Sequence, residues 1–304
     1  MREEIYHRFC EILGSDNVYQ REPMAKHTTF RIGGEADYYL CPHSRQEIKE
    51  ILNLCREEEL PWFILGNGSN LLVSDSGYRG VIIQIYKNMC NCTVEGSRIR
   101  VQAGALLSKV SAEALKHGLT GMEFASGIPG TVGGAVMMNA GAYGGEMKQV
   151  LRQAVVLTPE GEELTLSVAE LELDYRTSII KEKGYVVLEA ELELAAGDPE
   201  AIRGCMEELK DRRVAKQPLE YPSAGSTFKR PQGHFAGKLI MDAGLRGYQV
   251  GGAQISTKHC GFVINVGDAT AADVQRLIQD VQAKVKERFG VELEPEVQFL
   301  GDFQ

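Results

Sequence analysis

Two glycine-rich stretches hold the residues best suited to chemistry in this chain: Gly66-Asn67-Gly68-Ser69-Asn70-Leu71-Leu72 and Gly127-Ile128-Pro129-Gly130-Thr131-Val132-Gly133-Gly134-Ala135. Glycine adopts positive φ without steric cost and lets main-chain N–H groups come within hydrogen-bonding range of a phosphate. Glycine beside Ser, Thr and Asn is therefore the composition expected of a pyrophosphate cradle. The first stretch follows Trp62-Phe63-Ile64-Leu65, an apolar run that reads as a buried strand; the second leads into Met137-Met138-Asn139-Ala140-Gly141-Ala142-Tyr143-Gly144-Gly145. Neither matches a common nucleotide fingerprint. A Rossmann loop needs glycine at its sixth position, where Leu71 stands. The nearest approach to a Walker loop, Gly233-His234-Phe235-Ala236-Gly237-Lys238-Leu239, is one residue short and lacks the Ser or Thr that holds magnesium. What remains is one anionic cofactor held between two loops of a single domain.

The elements that must position these loops read as follows. An acidic amphipathic helix opens the chain at Met1-Arg2-Glu3-Glu4, and Ser44 with Glu47 reads as the capping box of a helix ending near Leu60. Strands are expected at 62–65, 80–85 and 98–101, and a helix at 108–117 stopped by Gly118. From Val150 the pattern turns to strands at 154–157, 163–166 and 185–194, the last alternating as Leu188-Glu189-Ala190-Glu191-Leu192-Glu193-Leu194. Ala195-Ala196-Gly197-Asp198-Pro199 marks a boundary, with Asp198 capping a helix that Pro199 begins and that runs to about Lys216. Lys210, Arg212, Arg213 and Lys216 in its final turn read as complements to the helix dipole. Beyond lie a helix at 235–243, strands around Val250 and at 262–266, a helix at 271–289 capped by Thr270, and a last strand carrying Glu296. The fold class is α+β: a cofactor unit followed by a smaller unit, with substrate at their junction.

Thr29-Phe30-Arg31-Ile32-Gly33-Gly34, residues 66–75 and residues 127–145 resemble the FAD-binding domain of the UDP-N-acetylenolpyruvoylglucosamine reductase family. The likeness continues through Tyr175-Arg176-Thr177-Ser178, Ala224-Gly225-Ser226-Thr227-Phe228-Lys229-Arg230-Pro231 and Glu294-Pro295-Glu296-Val297. The resemblance implies a PCMH-type FAD-binding domain over 1–200, with its core at about 28–195, and a C-terminal α+β substrate-binding domain over 201–304. It implies non-covalent FAD, NADPH as co-substrate, and reduction of the enolpyruvyl group of a UDP-sugar to UDP-N-acetylmuramate in peptidoglycan precursor synthesis. Its catalytic residues carry over to Arg176, Ser226 and Glu296. FAD falls to Arg31, Gly66, Asn67, Gly68, Ser69, Asn70, Leu71, Gly127, Ile128, Pro129, Gly130, Thr131, Gly133, Gly134, Ala135, Asn139 and Gly141, and the nucleotide-sugar substrate to Tyr175, Lys229 and Arg230. No metal is called for. Only about fifty residues separate Arg176 from Ser226, and Lys229-Arg230-Pro231 replaces the Lys-Asn-Pro of one branch. Both departures resemble the shorter branch, which lacks an inserted tyrosine lid.

The residue types suit these roles. An enolpyruvyl ether accepts hydride only if the charge developing over its carboxylate is stabilised, and Arg176 offers a permanently charged fork for a carboxylate. Ser226 is a weak acid, able to protonate carbon only toward a strongly basic enolate with a cation nearby, such as Lys229 or Arg230. Glu296 orients the carboxylate's partners or relays the proton. No His or Cys lies in either glycine loop, which argues against covalent flavin. The competing readings are a PCMH-type FAD oxidase of a small alcohol and a non-catalytic binding module.

At 304 residues, with 43% apolar and 25% charged residues, the chain has the length of about two soluble domains. A net charge of -9 without any Lys/Arg block argues against nucleic acid or a membrane surface as partner. With no long apolar run or signal peptide, the expected setting is cytoplasmic, the expected state a monomer or weak oligomer. Seven scattered cysteines read as reduced thiols, and Cys90-Asn91-Cys92 is a poor zinc signal.

Overall fold

The alternation at 188–194 is realised as the strand Val186–Glu193, central in a five-stranded antiparallel sheet. The order is Glu163–Ser167, Leu151–Leu157, Val186–Glu193, Arg98–Gln102, Cys92–Glu95. Its register places Ala154 opposite Ala190 and Leu192 opposite Ile99, so one face is apolar and buried. The opposite face resolves the glutamates: Glu189 pairs with Arg45 at 2.6 Å, Glu191 with Arg100 at 3.1 Å and Arg152 at 3.3 Å, and Glu193 with Arg152 at 2.9 Å. The helix Val132–Met137 packs against Val186–Glu193, which seats the second glycine loop at the sheet.

The computed structural model describes residues 2–303. By packing, the chain divides into two units, one of Met1–Gln20, Tyr38–Asn67 and Gly80–Arg213, the other of Arg21–Asp37, Gly68–Arg79 and Val214–Gln304. This division is discontinuous where the sequence reading is linear, and the reason lies in the second core. Phe30, Ile32 and Leu72 are buried with Ile240, Ile255, Val263 and the stripe Val274, Leu277, Ile278, Val281 and Val285. Local sequence gives no hint that two short N-terminal segments pack with residues two hundred positions away.

In the first unit the helices Arg2–Leu13 and Arg45–Glu57 pack together, and Trp62–Leu65 runs parallel to 81–84. Ser44 caps its helix by accepting the Glu47 N–H at 3.2 Å, but the Glu47 carboxylate takes the His43 N–H, so the expected box is displaced by one residue. That helix also ends at Glu57, short of Leu60. The second unit has a four-stranded antiparallel sheet in the order Ser223–Ser226, Phe262–Asn265, Ala253–Ile255, Gln249–Val250, covered by the helix Ala271–Phe289. Leu71–Val73 and Gln298–Leu300 form a parallel pair in the same unit. Glu296 lies ahead of that last strand, after a bridge between Phe228 and Pro295, rather than within a strand. Among the described residues no helix is long and apolar enough to cross a membrane.

Two polar devices stabilise the second unit. Asp75, at the end of the first glycine motif, accepts the Ala271 and Ala272 N–H groups at 2.8 and 3.0 Å, while Thr270 and Asp273 close a capping box on the same helix. Asp75→Ala should cost about 1–2 kcal/mol, read as a lower urea midpoint without change in slope. His259 Nδ1 accepts the Gly261 N–H at 3.1 Å, and burial, together with the Lys216 charge, holds the imidazole below its usual pKa. The unfolded chain then binds the extra proton, so this contribution is complete above about pH 6.5 and lost as pH falls from there toward the folded value. His259→Asn, which keeps an acceptor but does not titrate, should flatten the fall in urea stability below neutral pH; an unchanged pH profile would remove His259 from that role.

Candidate functional site

Glycine at 66 brings the first loop against the second. A Cβ there would overlap Thr131 Oγ1, and Asn67 Nδ2 donates to Pro129 O at 2.7 Å. Thr131 is 2% exposed and caps the helix Val132–Met137 through the Gly134 N–H. The second loop lies along 103–107: Gly133 N–H donates to Ala103 O at 2.8 Å, Val132 N–H to Ala105 O at 2.9 Å, and Leu107 N–H to Gly130 O at 3.0 Å. The N–H groups of Ile128, Gly133, Gly134 and Ala135 are all taken by protein acceptors. Among the described residues no protein acceptor takes those of Asn67, Gly68, Ser69, Gly130 or Thr131. In the first unit the open donors of Asn67, Gly130 and Thr131, on loops that meet where Gly66 faces Thr131, fit an anionic group such as a phosphate.

The last turn of the helix Pro199–Lys216 also reaches this loop. Arg213 Nη1 donates to Gly127 O, and the Arg212 guanidinium lies 4.8 Å over the Tyr143 ring. Burial, only partly offset by Tyr143, lowers the Arg213 pKa. The dipole reading missed this contact, because nothing in Asp211-Arg212-Arg213-Val214 distinguishes a solvated arginine from one folded onto a glycine.

Arg176 occupies a tight hairpin closed by a bridge between Asp174 and Thr177, with its own φ at 57°. Its Nη2 donates to Gly141 O at 3.4 Å, and its guanidinium lies 5.6 Å from the centre of the Tyr175 ring, which is 52% exposed. Ser178 Oγ donates to Met137 O at 2.7 Å. The candidate arginine is thus fastened to the segment that leaves the second glycine loop. Arg31, Asn139 and Tyr143 are also non-glycine residues at positive φ, at 56°, 40° and 55°. Such backbone strain persists only where surrounding structure enforces it, and it gathers at functional sites.

In the second unit, Thr29 N–H donates to Gly68 O at 3.0 Å and Thr29 Oγ1 to Ser223 O at 2.7 Å, which anchors the turn bearing Arg31. Asn70 Nδ2 donates to Glu296 O at 3.1 Å, and Gln298 N–H to Asn70 O at 3.1 Å. Glu296 N–H donates to Thr227 O, and Lys229 N–H to Glu294 O, both at 2.8 Å. Main-chain pairing therefore brings the Ser226 and Glu296 segments side by side. Ser226 itself is exposed and follows Gly225, whose φ is 76°. Lys229 forms an ion pair with Glu294, and the Arg230 guanidinium stacks 4.0 Å from the Phe235 ring centre. Leu71, which ends the first glycine loop, is a buried strand residue paired with Gln298.

Gly66→Ala should lower flavin content after dialysis and cost about 1–3 kcal/mol through overpacking on Thr131. Gly66→Ala combined with Thr131→Ala removes the obstructing hydroxyl and methyl and should recover part of both losses; strict additivity would mean that the two loops do not meet there.

A model of the FAD binding domain matches residues 36–167, and one of the UDP-N-acetylenolpyruvoylglucosamine reductase C-terminal domain matches residues 217–300. The UDP-N-acetylenolpyruvoylglucosamine reductase of Caldanaerobacter subterraneus subsp. tengcongensis is 53% identical over 302 residues, covering 99% of this chain and 100% of that one. That of Agathobacter rectalis is 53% identical over 319 residues, with both chains fully covered. The crystal structure of UDP-N-acetylenolpyruvylglucosamine reductase from Thermus caldophilus superposes with a TM-score of 0.81 at 36% identity, over 93% of this chain and 98% of that one. Identity of this degree over the whole length, on the same fold, places the chain in the UDP-N-acetylenolpyruvoylglucosamine reductase family.

Proposed function

We propose that this protein is an FAD-containing, NADPH-dependent reductase that converts the enolpyruvyl ether of UDP-N-acetylglucosamine to UDP-N-acetylmuramate for peptidoglycan synthesis. The observation that carries the reading is the strained Arg176 hairpin, bound to the segment that leaves the second glycine loop. A small-alcohol oxidase has no comparable support, since the full-length relatives are reductases. We place it in the cytoplasm as a monomer or weak oligomer, acting on a small nucleotide sugar, with neither nucleic acid nor membrane as partner; its acidic charge supports this.

Bound FAD supplies the hydride chemistry. The main chain of the glycine loops would hold its pyrophosphate, and Arg31 would supply a cation. Arg176 grips the substrate carboxylate and stabilises the charge that grows over it and the adjoining carbon. Ser226 donates its hydroxyl proton to that carbon once the enolate is strongly basic. Lys229 and Arg230 ease the resulting alkoxide and face the substrate's pyrophosphate; Tyr175 packs beside Arg176. Glu296 orients the carboxylate's partners or relays the proton that replaces the one Ser226 gives up, taken from solvent.

Stopped-flow absorbance separates the two half-reactions. Ser226→Ala should be reduced by NADPH at the wild-type rate but reoxidised by the UDP-sugar at least ~10²-fold more slowly, the loss expected for a positioned general acid. Ser226→Cys should recover part of that rate, whereas Arg176→Lys, which keeps charge but loses the fork, should not restore full turnover. Equal slowing of both half-reactions in Ser226→Ala, or of neither, means that Ser226 is not the acid.

A further inference from the structure

The resemblance places Asn139 among the residues that hold the cofactor, yet its side-chain amide is engaged by protein at both nitrogen and oxygen. It is 2% exposed, and these bonds lie inside the first unit. Nδ2 donates to Glu146 Oε2 at 3.1 Å and to Asp174 O at 3.3 Å, while Oδ1 accepts the Lys148 N–H at 2.9 Å. The orientation of the amide is fixed by chemistry: a backbone N–H only donates and a backbone carbonyl only accepts, so a flipped amide would lose both. Its own N–H donates to Val136 O at 3.3 Å. The residue holds φ at 40°, which Asn tolerates better than most side chains and which aims the amide at the hairpin.

That hairpin is the one bearing Arg176. Asp174 O takes the Asn139 donor and also the Thr177 N–H at 3.2 Å, which closes the turn. Asp174 Oδ1 takes the Tyr175 N–H at 2.7 Å, and Lys148, whose N–H Asn139 accepts, sends its Nζ to Leu173 O at 3.1 Å. Asn139 thus lies at the centre of a polar set that holds the incoming shoulder of the hairpin, Leu173 and Asp174. Resting on the reading of Arg176 above, we propose that Asn139 is a positioning residue: it sets the hairpin that aims the Arg176 guanidinium at the substrate carboxylate, and it does not bind the cofactor. A positional error of about 1 Å at such a group can cost ~10²-fold in rate, so a buried anchor at the carbonyl that closes the turn has a clear use.

Asn139→Asp keeps shape, the acceptor and tolerance of positive φ, but puts a carboxylate where Glu146 Oε2 and Asp174 O need a donor. Asn139→Gly removes the amide and relaxes the backbone, so it separates side chain from strain. Both variants should bind FAD and be reduced by NADPH like wild type, yet be reoxidised by the UDP-sugar at least about tenfold more slowly. In the flavin-free protein, hydrogen exchange at the Tyr175 and Thr177 amides should quicken while the sheet amides hold their protection. Asn139→Asp added to Arg176→Ala should slow the reaction no further than Arg176→Ala alone.

Loss of FAD affinity with intact hairpin protection would overturn the proposal and return Asn139 to the cofactor. Wild-type reoxidation in Asn139→Gly would overturn it too, as would full additivity with Arg176→Ala. If Arg176→Ala itself left reoxidation untouched, the reading of Arg176 would fail, while the exchange data would still report whether Asn139 holds the hairpin.

Discussion

The main chain at Gly66 must meet the Thr131 side chain, and much of the first unit is arranged to make that possible. Two loops can come this close only if one of them carries no side chain at the point of contact. The cost is conformational, because glycine and strained turns are the least self-supporting parts of a chain. The compensation is rigid surroundings: one loop extends from a parallel strand, and the other lies bonded along 103–107 and runs into a helix packed on the central strand of a sheet. Arg98, Arg100 and Arg152, which pair with Glu191 and Glu193, belong to the same economy, since a charged face satisfied on the sheet's outer side leaves its inner side free for apolar packing.

Much of this was legible in residues whose effect is local. Thr270 and Asp198 announced helix starts, Gly118 a helix end, and the alternation at 188–194 a half-buried strand, because caps, positive φ and period two act over a few positions. The glycine loops were visible for the same reason. What sequence could not disclose was partnership over distance. Asp75 reads as the tail of a cofactor motif and serves as a cap on a helix almost two hundred residues later. Arg213 reads as a dipole complement and is bonded to Gly127. Leu71 reads as part of a phosphate loop and is core. In each case residue type was compatible with both roles, and only tertiary contact chose between them.

Asn70 and Asn139 sharpen that distinction. Asn is common in phosphate cradles because a short amide can serve backbone and ligand alike, so the sequence supplies a good reason to place them at the cofactor. In the structure the Asn67 amide bridges to Pro129 O, whereas Asn70 turns toward Glu296 O and Asn139 toward Asp174 O, next to candidate catalytic residues. A glycine run cannot define its own direction, having no side chain to lock it. The first fixed polar group beside or after the run must do so, and whatever it bonds inherits the register of the loop. In the first unit those bonds fall within a few residues, so the second glycine loop and the Arg176 hairpin share one register. Glycine supplies the closeness in such a design, and asparagine supplies the alignment.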